Sequence, residues 1–288
     1  MILAKLAKPM LFFTAFIWGA TFFVVKDALD DIRPCAMLTI RFSMAARLLA
    51  LMFPKRCMKV RASDLKGGAV MGFLLFLSYA TQTLGLQYTT ASKSAFLTAV
   101  YCILVPFIYW AIGKGRPDIH SIGAAVTCVA GIGLVSLTSS LGIGLGDLFT
   151  LACGLCYALQ VVSVAYYIPG RDVYLLTIIQ FAVVAALSCA GMLVFEPLPG
   201  NFTPKVWTAL AVLGIGASAM GLLFQNIAQK YMNPSATAVI LSLESVFGVI
   251  CSIVFYGDKL TLRLAAGFVI IFIAVIWSET KFAFLKKN

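Results

Sequence analysis

Apolar residues run in ten long stretches along this chain, and short breaks of proline, glycine and charged residues separate them. Each stretch is close to the roughly 20 residues that a helix needs to cross the hydrocarbon layer of a membrane. Breaks such as Pro169-Gly170 and Asn233-Pro234 are typical of turns between helices. We therefore predict ten spans, at residues 9–27, 35–53, 67–88, 93–112, 121–138, 147–166, 173–195, 206–230, 235–256 and 263–281.

The chain also repeats itself once, because residues 231–256 match residues 88–113 at an offset of 143. Nearer the N-terminus the offset is 139. We predict two repeats, at 1–140 and 145–288, with five spans each. Because five is odd, the second repeat enters the membrane inverted, an arrangement typical of secondary transporters. The corresponding pairs include Gln82 and Gln225, Tyr88 and Tyr231, Trp18 and Tyr157, and Arg41 and Gln180.

The composition excludes a water-soluble protein. Hydrophobic residues make up 61% of the 288 residues and charged residues 11%, with a mean hydropathy of +0.99. A soluble domain carries about a quarter charged residues. The fold class is therefore an all-α membrane protein, with the lipid bilayer as its surroundings. The net charge of +11 would suggest nucleic acid in a soluble protein. Here the cations fall in short loops, where they orient helices and meet anionic headgroups, so we expect no nucleic-acid partner.

The distribution of Lys and Arg predicts the orientation. With a cytoplasmic N-terminus, fourteen of them fall on the cytoplasmic side and six on the outer side. Cytoplasmic loops carry the excess of positive charge, so both termini are predicted to be cytoplasmic. The start of the chain, with Lys5 and Lys8 before an apolar run, resembles a signal peptide. That run is too long for one, and it is expected to be a retained first span.

A set of short motifs occurs in both halves of the chain: Trp18-Gly19, Arg41 after Pro34, LGLQYTTASKSAFL at 84–97, Gly146-Asp147, Tyr157-Ala158, AQKYMNPSATAVILSLES at 228–245 and GDKLT at 257–261. With these motifs the chain resembles the drug/metabolite transporter superfamily, specifically its ten-helix carriers built from two EamA-type repeats. The resemblance implies a bundle that exports small organic molecules across a bacterial inner membrane, around a site between spans 1–4 and 6–9. Relatives carry amino acids, other metabolites or drugs. One departure is Glu244-Ser245, where the family commonly has Glu-Pro.

Two charged residues within the spans are candidates for coupling or gating. Glu244 is the only carboxylate deep in a predicted span, and exposing it to lipid would cost about 2.5–3.5 kcal/mol. It either exchanges a proton during transport or holds one in a hydrogen bond between helices. Arg41 and Arg47 lie within reach of snorkelling to the membrane surface. They cannot both face one cavity, and the resemblance favours Arg41 for an ion pair, a gate or contact with an anionic solute.

Polar and aromatic residues inside the spans indicate a wet cavity. Polar side chains at membrane depth face protein or water. Hydrogen bonds between helices and packed aromatic rings would explain single cases, but glutamines in four spans favour a cavity. The predicted substrate-binding residues are Trp18, Tyr79, Gln82, Tyr101, Tyr157, Gln160 and Gln225, and the predicted coupling or gating residues are Glu244, Arg41 and Gln180.

We expect no metal, no cofactor and no enzymatic activity. Six of the eight cysteines lie in apolar runs, and Cys153-x-x-Cys156 has no second pair beside it. His120 is the sole histidine, and the phosphate-binding G-x-x-x-x-G-K-[ST] motif is missing. The sequence therefore predicts a gradient-driven carrier of a small-molecule substrate, with proton coupling and oligomeric state left open. A lipid flippase of the same superfamily, or a membrane scaffold, remains as an alternative.

Overall fold

The computed structural model describes residues 2–136, 144–256 and 261–280. Over these residues the chain is helical and contains no β-strand. The helices are α1 (Ile2–Ala28), α2 (Pro34–Met52), α3 (Pro54–Cys57), α4 (Ala62–Tyr88), α5 (Ala91–Thr98), α6 (Tyr101–Ala111), α7 (Ile119–Ser136), α8 (Leu145–Tyr167), α9 (Val173–Phe195), α10 (Pro204–Ala211), the π-helix π1 (Val212–Leu222), α11 (Leu223–Gln229), α12 (Pro234–Leu241), α13 (Leu243–Tyr256) and α14 (Leu262–Thr280).

Seven helical stretches are long and apolar enough to cross a membrane, and three shorter apolar helices accompany them within the described residues. The outer surface of the bundle is apolar as well. Phe16, Val126 and Val254 are 51%, 62% and 67% exposed. A soluble protein seldom exposes so many large apolar side chains, whereas lipid accommodates them. The chain is thus a multi-pass membrane protein.

The helix bounds differ from the predicted spans mainly at the N-terminus. α1 begins at Ile2, seven residues before the predicted start, and at about 1.5 Å per residue it is longer than the hydrocarbon layer requires. α9 has the predicted bounds, Val173–Phe195. The predicted span ends at 138 and 281 and the stretch at 257–260 lie outside the described residues.

Two spans predicted as single helices, 93–112 and 235–256, are each broken into two pieces. α5 and α12 have eight residues each and start 143 positions apart, at Ala91 and Pro234. In the second of these spans, the hydroxyl groups of Ser242 and Ser245 donate to the carbonyls of Val239 and Ser242, each over 2.7 Å. Such back-bonding bends helices, so this break needs no proline at position 245.

The break between α5 and α6 has a different cause, a proline close to it in the sequence. Pro106 lies inside α6 and has no N–H to donate to the carbonyl of Cys102. The first turn of α6 is weakened by that loss. Each break thus has a local chemical cause, and the two causes lie at similar positions in the two repeats.

The π-helix π1 continues α10 and leads into α11, in a stretch predicted to be ordinary α-helix. Two of its carbonyls accept hydrogen bonds from α1: Thr14 Oγ1 donates to Gly221 and Trp18 Nε1 donates to Ala217, over 3.2 and 2.9 Å. Side chains that insert into a helix's carbonyl ladder widen it. π-helical turns are rare and occur frequently at functional sites.

The bundle is held by close packing of small residues. α1 packs against α13, α2 against α9, α4 against α8 and α9, and α7 against α14. A Cβ atom at Gly19 would lie 2.6 Å from the carbonyl oxygen of Glu244, so the backbones of α1 and α13 nearly touch there. Small residues allow membrane helices such an approach. The crossing places Trp18 and Glu244 on neighbouring elements.

Candidate substrate-binding site

A pocket with about 460 Å³ of empty space lies between α1, α2, α4, α8 and α13. It begins near the middle of α1 and α4 and extends towards their C-terminal ends, at Ala28 and Tyr88. Its walls combine apolar, aromatic, amide and charged side chains, as ligand pockets do. The lining residues are Trp18, Thr21, Phe22, Val25, Arg41, Ser78, Tyr79, Gln82, Leu86, Tyr157 and Glu244.

Arg41 brings a buried positive charge to this pocket. It is 3% exposed, whereas Arg47 is exposed on the same helix. Its Nε donates to Ser218 Oγ over 2.5 Å, and its guanidinium lies 4.7 Å from the centre of the Tyr79 ring. Within the described residues no carboxylate forms an ion pair with it. A buried charge without an opposite charge is costly, so an anionic group entering the pocket would be strongly attracted.

Three aromatic rings stack at the inner end of the pocket. The rings of Trp18 and Tyr157 meet edge-to-face with centres 5.9 Å apart, and Tyr101 meets Tyr157 at 4.7 Å. Such pairs are favourable beyond the area that they bury. Tyr101 is fully buried behind Tyr157 and does not line the pocket.

Glu244 reaches the pocket from the first turn of α13, directly after the break in the span. It is 3% exposed. The hydroxyl of Tyr101, at the corresponding position of the first repeat, lies beside its carboxyl group. No ion pair joins Glu244 to a cation in the described parts of the chain. Its carboxyl group is therefore available to a solute or to a proton that enters the pocket.

The pocket is also lined by Gln82, which the sequence predicted, and by apolar side chains that the sequence did not single out. Gln82 donates from Nε2 to Thr98 Oγ1 over 3.5 Å. Phe22, Val25 and Leu86 form the wall nearest the ends of α1 and α4. Lipid-facing positions are equally apolar, so the sequence does not distinguish these pocket residues from residues that face lipid.

Comparison with known proteins agrees with this architecture. The model of the EamA-like transporter family matches residues 6–137 and 144–280. The chain belongs to this family. An "Uncharacterized transporter" of Archaeoglobus fulgidus is 33% identical over 91% of this chain and 82% of its own length. The "Uncharacterized transporter YyaM" of Bacillus subtilis is 24% identical over 90% of this chain and 88% of its own.

A solved crystal structure shares the fold. It aligns with a TM-score of 0.77 over 98% of this chain and 99% of its own, at 16% identity, which supports the fold alone. The family and the names of the relatives point to a membrane transporter rather than an enzyme. No group of three or more potential metal-binding His, Cys, Asp or Glu side chains occurs among the residues searched.

Four predicted site residues of this EamA-type transporter lie outside the pocket wall: Tyr101, described above, and three glutamines. Gln160, Gln180 and Gln225 join Asn226 and Gln229 in a buried group that we call the amide cluster. Tyr157 connects it to the pocket, because its hydroxyl donates to Gln225 Oε1 over 2.9 Å. Gln225 Nε2 in turn donates to the side-chain oxygens of Gln160 and Gln229, over 3.2 and 3.0 Å. Asn226 Nδ2 donates to the side-chain oxygens of Gln180 and Thr177, each over 2.9 Å.

The amide cluster is not fully satisfied. Gln160 Nε2, Gln180 Nε2 and Asn226 Oδ1 are buried without a hydrogen-bond partner. Unpaired buried polar atoms are uncommon and cost free energy. The cluster fills the space between the pocket and the N-terminal end of α9, so it separates the pocket from that side of the bundle in this conformation.

Ser218 is the functional candidate that the sequence did not reveal. It lies in a run of small residues, Gly214 to Gly221, which is typical of helix packing. Only the geometry of π1 directs its hydroxyl to Arg41. A polar residue opposite a buried arginine would have been the signal, but the sequence does not show which helices face each other.

Proposed function

We propose that this transporter is a ten-span secondary carrier built from two inverted five-helix repeats, 1–140 and 145–288. The two broken helices support the repeat, since their first pieces have equal length and lie 143 positions apart. Interrupted helices at corresponding positions of two halves are the expected mark of a transport site. Tyr101 and Glu244, at the corresponding breaks, both come to the centre of the bundle.

The packing between the halves supports the same symmetry. α4 contacts α8, and the corresponding pair, α1 with π1 and α11, is also in contact. α1 contacts α13, and the corresponding α8 contacts α5 and α6. A two-fold relation between the repeats would produce these matched pairs. Alternating access would then arise by rocking one repeat against the other.

The solute that fits the pocket best is a small organic molecule with an anionic group, such as an amino acid or a related metabolite. The observation that carries this proposal is Arg41, a buried cation to which the described residues offer no ion pair. It shares the pocket with Glu244 and with four aromatic rings, those of Trp18, Phe22, Tyr79 and Tyr157. A carboxylate would pair with Arg41. An ammonium group would interact with Glu244 or with the face of an aromatic ring.

The direction and energy source follow from the same arrangement. We propose export across a bacterial inner membrane, with both termini cytoplasmic and a proton exchanged at Glu244. Arg41 and the hydroxyls of Tyr79, Tyr101 and Tyr157 are the groups that surround this carboxyl group. Because Arg41 and Glu244 line the same pocket, a charged solute that enters it changes the electrostatic surroundings of the carboxyl group.

The test is transport by purified protein in liposomes. Labelled amino acids and a fluorescent phospholipid are offered separately, with and without a pH gradient. Uptake of an amino acid, abolished by Arg41→Gln and retained by Arg47→Gln, supports the proposed carrier. Translocation of the lipid alone would indicate a flippase, and transport of neither would favour a scaffold.

A further inference from the structure

A second pocket lies at the other end of α1. It has about 1050 Å³ of empty space and is bounded by the starts of α1, α7 and α12, the end of α6 and the loop at 113–118. Three cationic side chains line it, from Lys8, Lys114 and Arg116. The transport pocket described above contains none of these residues, so the two pockets are separate.

The charge of this second pocket is positive. Asp118 is the only acid among its lining residues, and its Oδ1 accepts a hydrogen bond from the backbone N–H of Ser121 over 2.7 Å. Its carboxylate therefore fixes the first turn of α7. Lys114 and Arg116 are exposed, and the Lys114 ammonium lies 5.5 Å from the centre of the Tyr166 ring. The cations can reach a ligand without first leaving a buried site.

The rest of the pocket wall is part polar, from Ser121, Asn233 and Ser235, and part apolar. In the apolar part, Pro106 and Tyr109 come from α6, and Met232 and Ala236 come from the other repeat. A hydrophilic anion would leave this apolar part without a partner. A ligand with a phosphate and a hydrocarbon chain would use both parts, the phosphate at the cations and the chain along the apolar side chains.

We propose that this pocket binds the headgroup phosphate of an anionic phospholipid in the cytoplasmic leaflet. The pocket lies at the ends of helices, which is the depth of the headgroups, and basic pockets between helices on the cytoplasmic side suit such lipids. The proposal rests on the proposed orientation of the termini and is independent of the transported solute. Lys114 and Arg116 hold the phosphate, and Tyr109 and Met232 contact the start of the acyl chain.

The experiment measures lipid binding by purified protein in detergent micelles. Phosphatidylglycerol is added at increasing mole fraction, phosphatidylcholine serves as the neutral comparison, and the melting temperature is followed. We expect phosphatidylglycerol to raise the melting temperature more than phosphatidylcholine does. The double variant Lys114→Ala with Arg116→Ala should need about tenfold more phosphatidylglycerol for the same rise in melting temperature. Each cation near the membrane surface contributes appreciably to the binding of anionic lipid.

Two further variants distinguish this pocket from general basic charge. Lys55→Ala with Lys59→Ala removes two exposed cations from another loop on the same side and should bind like the unchanged protein. Lys114→Arg with Arg116→Lys keeps both charges and should also bind normally, which shows that folding is intact. The proposal would be overturned if the Lys55 and Lys114 double variants lost the same amount of phosphatidylglycerol binding. It would also be overturned if phosphatidylcholine raised the melting temperature as much as phosphatidylglycerol does.

Inorganic phosphate separates the lipid from a free anion. If millimolar phosphate displaces phosphatidylglycerol and gives the same stabilisation by itself, the ligand is a soluble anion and the lipid assignment is wrong. No transport is measured, so a failure here leaves the carrier proposal unaffected. Conversely, an inactive carrier that still prefers phosphatidylglycerol supports the lipid site alone.

Discussion

Arg41 shows how one side chain can organise the proposed transport pocket. Its charge is buried among neutral partners, Ser218 on π1 and Tyr79 on α4. A hydrogen bond to a charged group is worth about 1.5–3 kcal/mol. Ser218 therefore holds the guanidinium in one orientation, and a solute that pairs with Arg41 depends on that orientation.

We expect Ser218→Ala to weaken solute binding by roughly tenfold or more, because the guanidinium loses its nearest partner. The half-saturating solute concentration in liposome uptake measures this. Ser188→Ala is the matched control, since Ser188 is also fully buried but its hydroxyl has no hydrogen-bond partner. Ser218→Thr keeps a hydroxyl and should recover most of the affinity. Equal affinity in the Ser218→Ala variant and the unchanged protein would show that Arg41 needs no positioning.

Glu244→Gln tests the proton-coupling role of the carboxyl group. Glutamine keeps the size and polarity of the side chain but cannot exchange a proton. We expect the variant to insert and fold, and to exchange labelled for unlabelled solute, while a pH gradient no longer drives uptake. Asp27→Asn is the control, because Asp27 forms an exposed ion pair with Lys205 at 3.1 Å, and such pairs contribute little. If a pH gradient still drove uptake by the Glu244→Gln variant, Glu244 would have a packing role and no role in coupling.

At the scale of the helices, small residues fix where elements cross. Gly19 of α1 faces the backbone of α13 at Glu244 and Gly248. The position of Glu244 in the pocket is thus set by a backbone contact rather than by its own hydrogen bonds. Replacing Gly19 would push the two backbones apart, whereas a Cβ atom on Gly248 would meet its neighbours only at an ordinary 3.5 Å.

Gly19→Ala is expected to destabilise the bundle by about 1–3 kcal/mol, because the new Cβ atom would lie within 2.7 Å of backbone atoms that cannot move alone. The measurement is the melting temperature in detergent, together with the folded yield. Gly133→Ala in α7 is the control. A Cβ atom there meets no neighbour within 4 Å, and alanine favours helix, so its melting temperature should stay equal or rise. A Gly19→Ala protein as stable as the control would contradict the close crossing.

The helices could be predicted from the sequence because each is a continuous apolar run, and α9 even has the predicted bounds. The breaks in the two interrupted spans were not predicted, because serine back-bonding and the effect of Pro106 are weak local signals inside long apolar stretches. π1 was missed for another reason. Its carbonyls bond to Thr14 and Trp18, and these contacts exist only in the folded bundle.

The candidate site was predictable where the repeat supplied a second observation. Trp18 and Tyr157 correspond through the 139-residue offset, and their rings meet beside the pocket. Glutamines were harder, because polarity within a span indicates either a cavity or a hydrogen-bond network. Gln82 lies in the pocket wall, while Gln225 lies in the amide cluster.

For the molecule as a whole, the pocket and the amide cluster together describe one conformation of a carrier. The pocket continues along Phe22, Val25 and Leu86 towards the ends of α1 and α4, which the proposed topology places outside. The amide cluster joins α8 to α11 on the opposite side, where Gln225 donates to Gln160 and Gln229 donates to the Val161 carbonyl. Under the proposed topology this conformation would be outward-facing, and the unpaired amide atoms of the cluster would reduce the cost of opening the inner side.

Cysteine labelling tests this orientation. In a background without the eight native cysteines, Val25→Cys lies near the mouth of the pocket, and Gln229→Cys lies in the closed amide cluster. We expect a small membrane-impermeant thiol reagent to modify Val25→Cys in right-side-out vesicles, with solute slowing the reaction. Gln229→Cys should react only in inside-out vesicles and faster when transport is under way, because opening of the cytoplasmic side must separate α11 from α8, where Gln229 now donates to the Val161 carbonyl. Modification of Val25→Cys from the cytoplasmic side alone would reverse the proposed topology. Equal reactivity of Gln229→Cys with and without solute would mean that the cluster is a static part of the core, and the inner gate would have to be sought elsewhere.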